Sequence, residues 1–296
     1  MKRKKNLLVN KYEIFTNEEL KKVAYKYDAQ VLTKVGIRDI VEIENSGITD
    51  DEYEYALKAH FDFVVTTGRH LSTEFVIEFD EESHRRYQKS IRNDKLKNSI
   101  CKKFEIPIFR ITSDFLKEIG QLQKFNSRSI FAGRFDSLAG WLVETWFLEK
   151  AFYEAQDKGL VPFDEPFCWF SFIDQDPFAQ SRLYLHDLYK QKFCITYLPK
   201  IIKGHDIDEF AWGCLAILPL NNGRYVFGFA ECKSINFSAI SAYDLCEELA
   251  INDIVNQFIK HQDRELMGLA KQEMKNKEEK FKNQYIIPNY LQSLDN

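Results

Sequence analysis

The sequence predicts an α/β protein: a core in the order helix, strand, strand, strand, helix, strand, followed by an additional α+β domain. Three observations lead to this prediction. Of the 296 residues, 45% are hydrophobic and 29% are charged, with only 12 Gly and 7 Pro, which excludes disordered, collagen-like and disulfide-scaffold chains. Helical and strand-like hydrophobic patterns alternate through the first half of the chain. Charge is distributed unevenly, which indicates two domains, residues 1–129 and 130–296.

The uneven charge also bears on binding partners. The whole chain carries 41 Lys and Arg against 45 Asp and Glu, a formal net charge of −4. Residues 1–129 hold 24 basic and 21 acidic side chains, a balance of +3, whereas residues 130–296 hold 17 and 24, a balance of −7. The overall charge argues against a protein whose entire surface binds nucleic acid. The basic excess of the first domain still permits a local site of that kind.

Cysteine usage and hydropathy indicate the compartment. The six cysteines lack C-x-x-C spacing and lie mostly among apolar residues, which predicts buried thiols in a reducing environment rather than disulfides or zinc ligands. The opening MKRKKNLLVN has too short an apolar stretch for a signal peptide. No run of 18 apolar residues could span a membrane. We therefore expect a cytoplasmic protein without a membrane partner.

The first elements follow from local periodicity. Apolar residues recur at helical spacing over residues 17–28, with Thr16 as the predicted N-cap and Glu19 at the capping-box position. Residues 29–37 alternate apolar and polar side chains and predict a strand. Residues 36–59 are acidic and poorly periodic, so we expect a long loop with at most one helical turn.

A hairpin and a basic helix come next. Residues 60–67 and 74–80 are β-rich runs separated by a turn that includes Gly68, which predicts an antiparallel pair. Residues 85–104 have apolar side chains at helical spacing and many cations. This helix is expected to end before Pro107, because the residue before a proline disfavours helical geometry.

The remaining elements are a strand at 107–111, a helix from 113 to about 123 and the second domain. That domain begins with a long helix around LAGWLVETWFLEKAFYEAQDKG, whose predicted C-terminus is Gly159. Asn222 and Gly223 form a strong turn signal between two β-rich runs. Residues 244–283 are predicted to be helical.

Acidic residues cluster where the predicted hairpin strands end. Asp62 lies in the first strand, and Glu78 and Asp80 lie on one face of the second, so hairpin pairing brings the three carboxylates together. Such a group would be repulsive without a cation. Hard oxygen ligands on paired strands suit Mg²⁺ or Mn²⁺. His84 follows four residues after Asp80.

These residues carry a family resemblance. Asp62, then Glu78-Phe79-Asp80 after a strand, flanked by a preceding helix and by the following helix and strand PIFRI, resembles the PD-(D/E)XK, or restriction-endonuclease-like, nuclease superfamily. More narrowly, VIEFDEESH, RNDKLKNSIC and IPIFRI look like a bacterial family of unknown function related in motif to very short patch repair endonucleases. The resemblance covers roughly residues 10–125. It implies an αβββαβ core and metal-dependent hydrolysis of DNA phosphodiester bonds, with a context in phage defence or DNA repair.

The resemblance also implies residue roles. Asp62, Glu78 and the carbonyl of Phe79 would hold the metal ion. The superfamily motif expects lysine at position 80 to orient the attacking water, whereas this chain has Asp80. His84 or Asp80 would then act as the base, and Lys97 could return an ammonium to the site.

The helix over 85–104 is expected to contact DNA, because its cations can follow a phosphate backbone. The expected DNA-binding residues are Arg85, Arg86, Lys89, Arg92 and Lys95. Lys97 or Arg92 would stabilise the leaving oxygen.

Several alternatives remain open at this stage. The lysine-to-Asp80 departure is compatible with a catalytically inactive nucleic-acid-binding or protein-interaction module. Glu231-Cys232-Lys233 is a second E-x-K pattern with Asp206 or Asp208 upstream, for which a strand-end salt bridge is the simpler interpretation. The C-terminal domain is a candidate surface for a homodimer or for other protein subunits.

Overall fold

The computed structural model describes residues 11–80, 88–116, 137–169, 176–207, 210–261 and 268–288. Within these ranges the chain is a mixed α/β protein with seven strands and seven α-helices. It divides into two compact units, one of residues 1–171 with 234–240 and one of residues 172–233 with 241–296. The boundary expected at 129/130 lies outside the described residues.

The first unit contains the element order that the sequence predicts, with one added helix. Its elements are α1 (Lys11–Ala24), β1 (Ala29–Gly36), α2 (Asp50–Ala56), β2 (His60–Thr67), β3 (Ser72–Phe79), α3 (Gln88–Lys103), β4 (Ile108–Ile111) and α4 (Leu138–Asp157). The strands lie in the order β1, β2, β3, β4. β1 and β3 are both antiparallel to β2, and β4 is parallel to β3. The parallel pair follows from the crossover through α3.

The predicted hairpin of β2 and β3 is confirmed. Gly68 has a φ of +69° in the turn between the strands, a backbone conformation that glycine adopts at little cost. Phe63 and Phe75 on one face of this pair and Val64 and Val76 on the other are at most 1% exposed, so this central pair is covered by protein on both faces. Both strands are therefore fixed in register, because a shift by one residue would exchange their two faces.

The predicted start of the first helix is wrong. α1 is already helical at Lys11, and Thr16 lies inside it, where its hydroxyl donates to the Tyr12 carbonyl at 2.8 Å. Glu19 is not a capping residue: it is buried and accepts a hydrogen bond from the Ser137 hydroxyl at 3.0 Å. The apolar stripe was correctly identified, but the Thr-x-x-Glu pattern occurs here in the middle of a helix.

A genuine capping box begins α2, in the stretch where the sequence predicts a loop with at most one helical turn. The Glu52 amide donates to the Thr49 hydroxyl, and the Thr49 amide donates to the Glu52 carboxylate at 2.8 Å. Glu52 also accepts from Ser99 of α3 at 2.5 Å. Local capping and this tertiary contact together stabilise a helix that has little periodicity of its own.

α4, expected in the C-terminal domain, belongs to the first unit. Its buried face packs on α1, and the Phe147 ring stacks on Tyr27 at 4.7 Å. Trp146 packs on Phe75 of β3 at 5.0 Å. The positive φ of Gly159, +69°, follows the end of the helix as predicted. Of the predicted helix 113–123, the described part is a 3₁₀ turn, Ser113–Leu116.

The second unit has an antiparallel three-stranded arrangement with helices. Its elements are α5 (Ala179–Lys190), β5 (Lys200–His205), β6 (Ala211–Pro219), β7 (Tyr225–Ile235), α6 (Ala242–Lys260) and α7 (Lys271–Gln284). β6 pairs with both β5 and β7, and Gly223 in the predicted β6–β7 turn has a φ of +79°. The helical stretch predicted over 244–283 is divided into α6 and α7.

Two further expectations concern the chain as a whole. All six cysteines are free thiols, and five of them are buried, as expected. None of the helices in the described ranges combines the length and the apolar character needed to cross a lipid bilayer.

Candidate functional site

A row of four charged residues crosses the strands of the first unit. The register of the flanking pairs places Lys34 of β1 opposite Asp62 of β2, and Asp62 beside Glu78 of β3. Glu78 is paired in turn with Arg110 of β4. Because residues directly across from each other project from the same face of a sheet, the four side chains form one row with cations at both ends and the two carboxylates between them.

Asp62 is held by two donors. Its Oδ1 accepts from Lys34 Nζ at 2.6 Å, and its Oδ2 accepts from the backbone amide of Phe79 at 3.0 Å. Burial acts to raise the pKa of this carboxyl, but the Lys34 and Phe79 hydrogen bonds and the charge of Lys34 outweigh burial and bring the pKa below its usual value. Asp62 is therefore ionised at neutral pH, and the Phe79 backbone lies beside it.

Glu78 forms a buried ion pair with Lys97 of α3. Lys97 Nζ lies 2.6 Å from Glu78 Oε2 and also donates to the His60 carbonyl at 2.9 Å. Glu78 Oε1 accepts from the Asp62 amide at 3.1 Å. Burial acts to lower the pKa of Lys97, but the charge and hydrogen bond of Glu78, together with the Tyr55 and Asp62 side chains, outweigh burial and raise it. The Lys97 ammonium, which the family resemblance suggested for this site, therefore contacts the Glu78 carboxylate.

Lys34 is a member of the row that the sequence analysis missed. Its ammonium lies between two carboxylates, 2.6 Å from Asp62 Oδ1 and 2.8 Å from Glu13 Oε1 of α1. Burial acts to lower its pKa, but these two carboxylates raise it above the usual value. The available signal was a lysine within the otherwise apolar and uncharged strand AQVLTKVG. Glu13 is the α1 carboxylate that this cation contacts.

Asp80 has a different partner. Its Oδ1 accepts from Arg110 Nη1 at 2.8 Å, and the same guanidinium contacts Asp94 at 3.2 Å and the Asn98 side chain. Arg110 is 5% exposed at its side chain. Position 80, where the motif expects a lysine near the carboxylates, therefore holds a carboxylate that is paired with a buried arginine.

His60 is a second residue that the sequence analysis missed. It precedes Asp62 by two residues on β2, so both project from the same face of the strand. Burial lowers the pKa of His60, and the nearby charges of Lys34 and Lys97 lower it further. The imidazole is consequently neutral near pH 7 and can accept a proton.

The donor set can be compared with the needs of a divalent cation. Asp62 and Glu78 provide hard oxygen ligands on adjacent strands, as Mg²⁺ and Mn²⁺ prefer. Each carboxylate already contacts a lysine ammonium, so a cation would share or displace these contacts. Within the described part of the chain, no group of three or more His, Cys, Asp and Glu side chains is arranged to hold a metal ion. A cation bound here would take the two carboxylates and would need backbone oxygen and water to complete its shell.

The predicted DNA-binding residues are only partly described. His84, Arg85 and Arg86 lie outside the described residues, as does the side chain of Lys89. Arg92 forms an exposed ion pair with Asp51 of α2 at 2.6 Å. Lys95 is exposed on α3.

The second E-x-K pattern forms an ion pair, as its simpler interpretation expects. Lys233 Nζ lies 3.6 Å from Glu231 Oε1, and the Tyr285 hydroxyl donates to Glu231 Oε2 at 2.5 Å. The residue opposite Glu231 on β6 is Gly213, where an added Cβ would lie 2.7 Å from the Tyr285 ring. Asp206 accepts from backbone amides in the β5–β6 turn. Glu231 thus contacts a tyrosine hydroxyl as well as Lys233.

Comparison with known proteins gives one match. Residues 5–125 match a family model described as "Protein of unknown function (DUF2726)". This similarity covers less than half of the chain and includes Asp62, Glu78 and Lys97. The searches of curated proteins and of solved structures returned no match.

Proposed function

We propose that the protein is a Mg²⁺- or Mn²⁺-dependent endonuclease that hydrolyses DNA phosphodiester bonds, acting in phage defence or DNA repair. The observation that carries the proposal is the adjacent pair of carboxylates, Asp62 and Glu78, with a buried lysine from the next helix bonded to one of them. The order α1, β1, β2, β3, α3, β4 supports a restriction-endonuclease-like core. Association through the second unit, with a second copy or with other subunits, is part of the same proposal.

The chemistry divides among the residues of the row. Asp62, Glu78 and the Phe79 carbonyl would hold a divalent cation, which would supply Lewis-acid activation of the scissile phosphate and of a bound water. Lys97 fixes the orientation of Glu78 through the 2.6 Å contact. A neutral imidazole, His60 or the His84 expected from the sequence, accepts the proton of the attacking water.

Electrostatics favour a phosphate at this place. Lys34 and Lys97 lie directly beside the two carboxylates, so a bound cation would give this group of charges a positive balance. The exposed cations of α3, including Arg92 and Lys95, lie on the helix that also provides Lys97. They can follow the DNA backbone beyond the scissile bond, and binding should weaken as salt increases.

One observation favours a second candidate function, a nucleic-acid-binding module without catalysis. The motif position that normally carries lysine is Asp80, and its carboxylate is paired with Arg110. A site that keeps its fold and its basic helix but lacks a lysine at this position would bind DNA without cleaving it.

The test is cleavage of supercoiled plasmid by the purified full chain in Mg²⁺ or Mn²⁺. Asp62→Asn and Glu78→Gln are expected to reduce the rate by at least about 100-fold, the order seen when a group that stabilises the transition state is removed. Glu54→Gln is the matched control, because Glu54 is 75% exposed on α2. Cleavage that survives both site variants refutes the assignment. Salt-dependent DNA binding by a protein that never cleaves supports the second candidate.

A further inference from the structure

Lys34 has an unusual backbone conformation for its position. It lies within strand β1 with a φ of +55°, in the left-handed region that residues other than glycine, asparagine and aspartate rarely adopt. The strand pairing continues on both sides, with Thr33 opposite Phe63 and Val35 opposite Phe61. A single disfavoured residue inside a regular strand persists only when the surrounding structure holds it there, and such residues concentrate at functional sites.

In this conformation the Lys34 side chain holds its ammonium between two carboxylates. Lys34 Nζ contacts Asp62 Oδ1 at 2.6 Å and Glu13 Oε1 at 2.8 Å. The three side chains are between 16% and 20% exposed, so the ammonium is partly shielded and is still accessible to an ion from solution. It uses the same Asp62 oxygen that a divalent cation could coordinate.

The formal charges around this point are informative. Glu13, Asp62 and Glu78 contribute three negative charges, Lys34 and Lys97 contribute two positive charges, and the ion pair of Arg110 with Asp80 adds no net charge, which leaves a balance of −1. A divalent cation changes the balance to +1, which matches the single negative charge of a phosphodiester. Without Lys34 the balance before cation binding would be −2, so a cation would be attracted more strongly.

We propose that Lys34 is a tethered competitor of the divalent cation: its ammonium occupies Asp62 until the cation displaces it, and it thereby sets the affinity for the cation. This inference rests on the proposed metal-dependent function. Lys34 acts as a positioning residue, since it acts through Asp62. The cation then binds only moderately when alone, while the displaced ammonium remains beside the site, available to a phosphate oxygen.

The experiment is calorimetric titration of Mn²⁺ into the full chain, without DNA. Lys34→Asn removes the ammonium with a residue that tolerates positive φ, and Lys34→Gly is a second variant suited to the same backbone. Both are expected to bind Mn²⁺ about tenfold more tightly than wild type. Lys34→Arg keeps the cation and should remain close to wild type, as should the control Lys58→Gln, whose side chain is 76% exposed. The heat of Mn²⁺ binding that is lost in Asp62→Asn is the heat that belongs to this site.

The outcomes separate the inference from the proposed function. Mn²⁺ binding that is lost in Asp62→Asn but is unchanged or weaker in Lys34→Asn and Lys34→Gly overturns the inference and leaves the metal site standing. Absence of Asp62-dependent binding in wild type and in both variants overturns the metal site and the inference together. A purely structural role for Lys34 would reduce stability in these variants without tightening Mn²⁺ binding.

Discussion

Replacing Lys97 by methionine removes the ammonium that lies 2.6 Å from Glu78 Oε2 and keeps an unbranched side chain. The two side chains are each 8% exposed, so water cannot take the place of the lost partner. The His60 carbonyl also loses its donor at 2.9 Å. The variant therefore leaves one carboxylate buried without its counter-ion.

The magnitude follows from this burial. Removing one partner of a buried ion pair typically costs about 3–5 kcal/mol, and we expect a loss of that size in the free energy of unfolding at pH 8. In the double variant Lys97→Met/Glu78→Gln the buried charge is absent, so at least about half of the loss should be recovered. Lys58→Met, at a side chain that is 76% exposed, should change stability by less than about 0.5 kcal/mol.

The pH dependence of the loss gives an independent check. Burial raises the pKa of Glu78 and the charge of Lys97 opposes the rise, so without Lys97 the folded-state pKa lies well above the unfolded value. The folded variant then retains a proton that the unfolded chain releases. Its stability is highest below the unfolded pKa and falls as pH rises through the folded pKa. The loss relative to wild type should therefore be smaller at pH 5 than at pH 8.

The assay is urea denaturation followed by tryptophan fluorescence at both pH values. A loss below about 1 kcal/mol at pH 8, or an equal loss at pH 5 and pH 8, would refute the buried pairing of Lys97 with Glu78.

Three further predictions concern the second unit. Burial raises the pKa of Glu248 to about 7 from its usual 4.5. The free energy of unfolding of the wild type should therefore fall by up to about 3 kcal/mol as pH rises between these two pKa values. Glu248→Gln should flatten this dependence in urea denaturation. Gly228→Ala would place a Cβ 1.9 Å from the Ala250 carbonyl oxygen. Because the backbone must move to relieve this clash, thermal unfolding should show a decrease of about 3 kcal/mol in the free energy of unfolding. Tyr285→Phe removes the 2.5 Å hydrogen bond to Glu231 and should cost about 1–2 kcal/mol, measured by urea denaturation.

The adjacency of Asp62 and Glu78 could be predicted because it depends on local pattern. Alternating apolar residues and one turn define the β2–β3 hairpin, and the hairpin register then places the two carboxylates side by side. The pairing of Lys97 with Glu78 was suggested only through a family resemblance. Helical spacing places Lys97 three and four residues before the buried Ile100 and Cys101, on the inner face of α3, but it does not identify Glu78 as the partner of Lys97.

The errors have identifiable causes. Thr16 and Glu19 match a capping box, but the same spacing occurs inside α1, where packing against the Ser137 region buries Glu19. The capping box at Thr49 is not revealed by hydrophobic periodicity, because the surrounding residues lack an apolar stripe. Short polar patterns of this kind become decisive only when the position of the helix end is known.

By itself, the sequence determined the α/β class, the order of strands and helices in the first unit, and the pair Asp62 and Glu78, since hydrophobic alternation and turn residues act over short distances. Only the tertiary structure decided which cations meet these carboxylates. Lys34 is 28 residues from Asp62 in the sequence and Lys97 is 19 residues from Glu78, and sheet register, helix packing and burial bring each pair within hydrogen-bond distance. Charge pairing depends on distance in space and on exclusion of water, and neither is encoded by spacing along the chain.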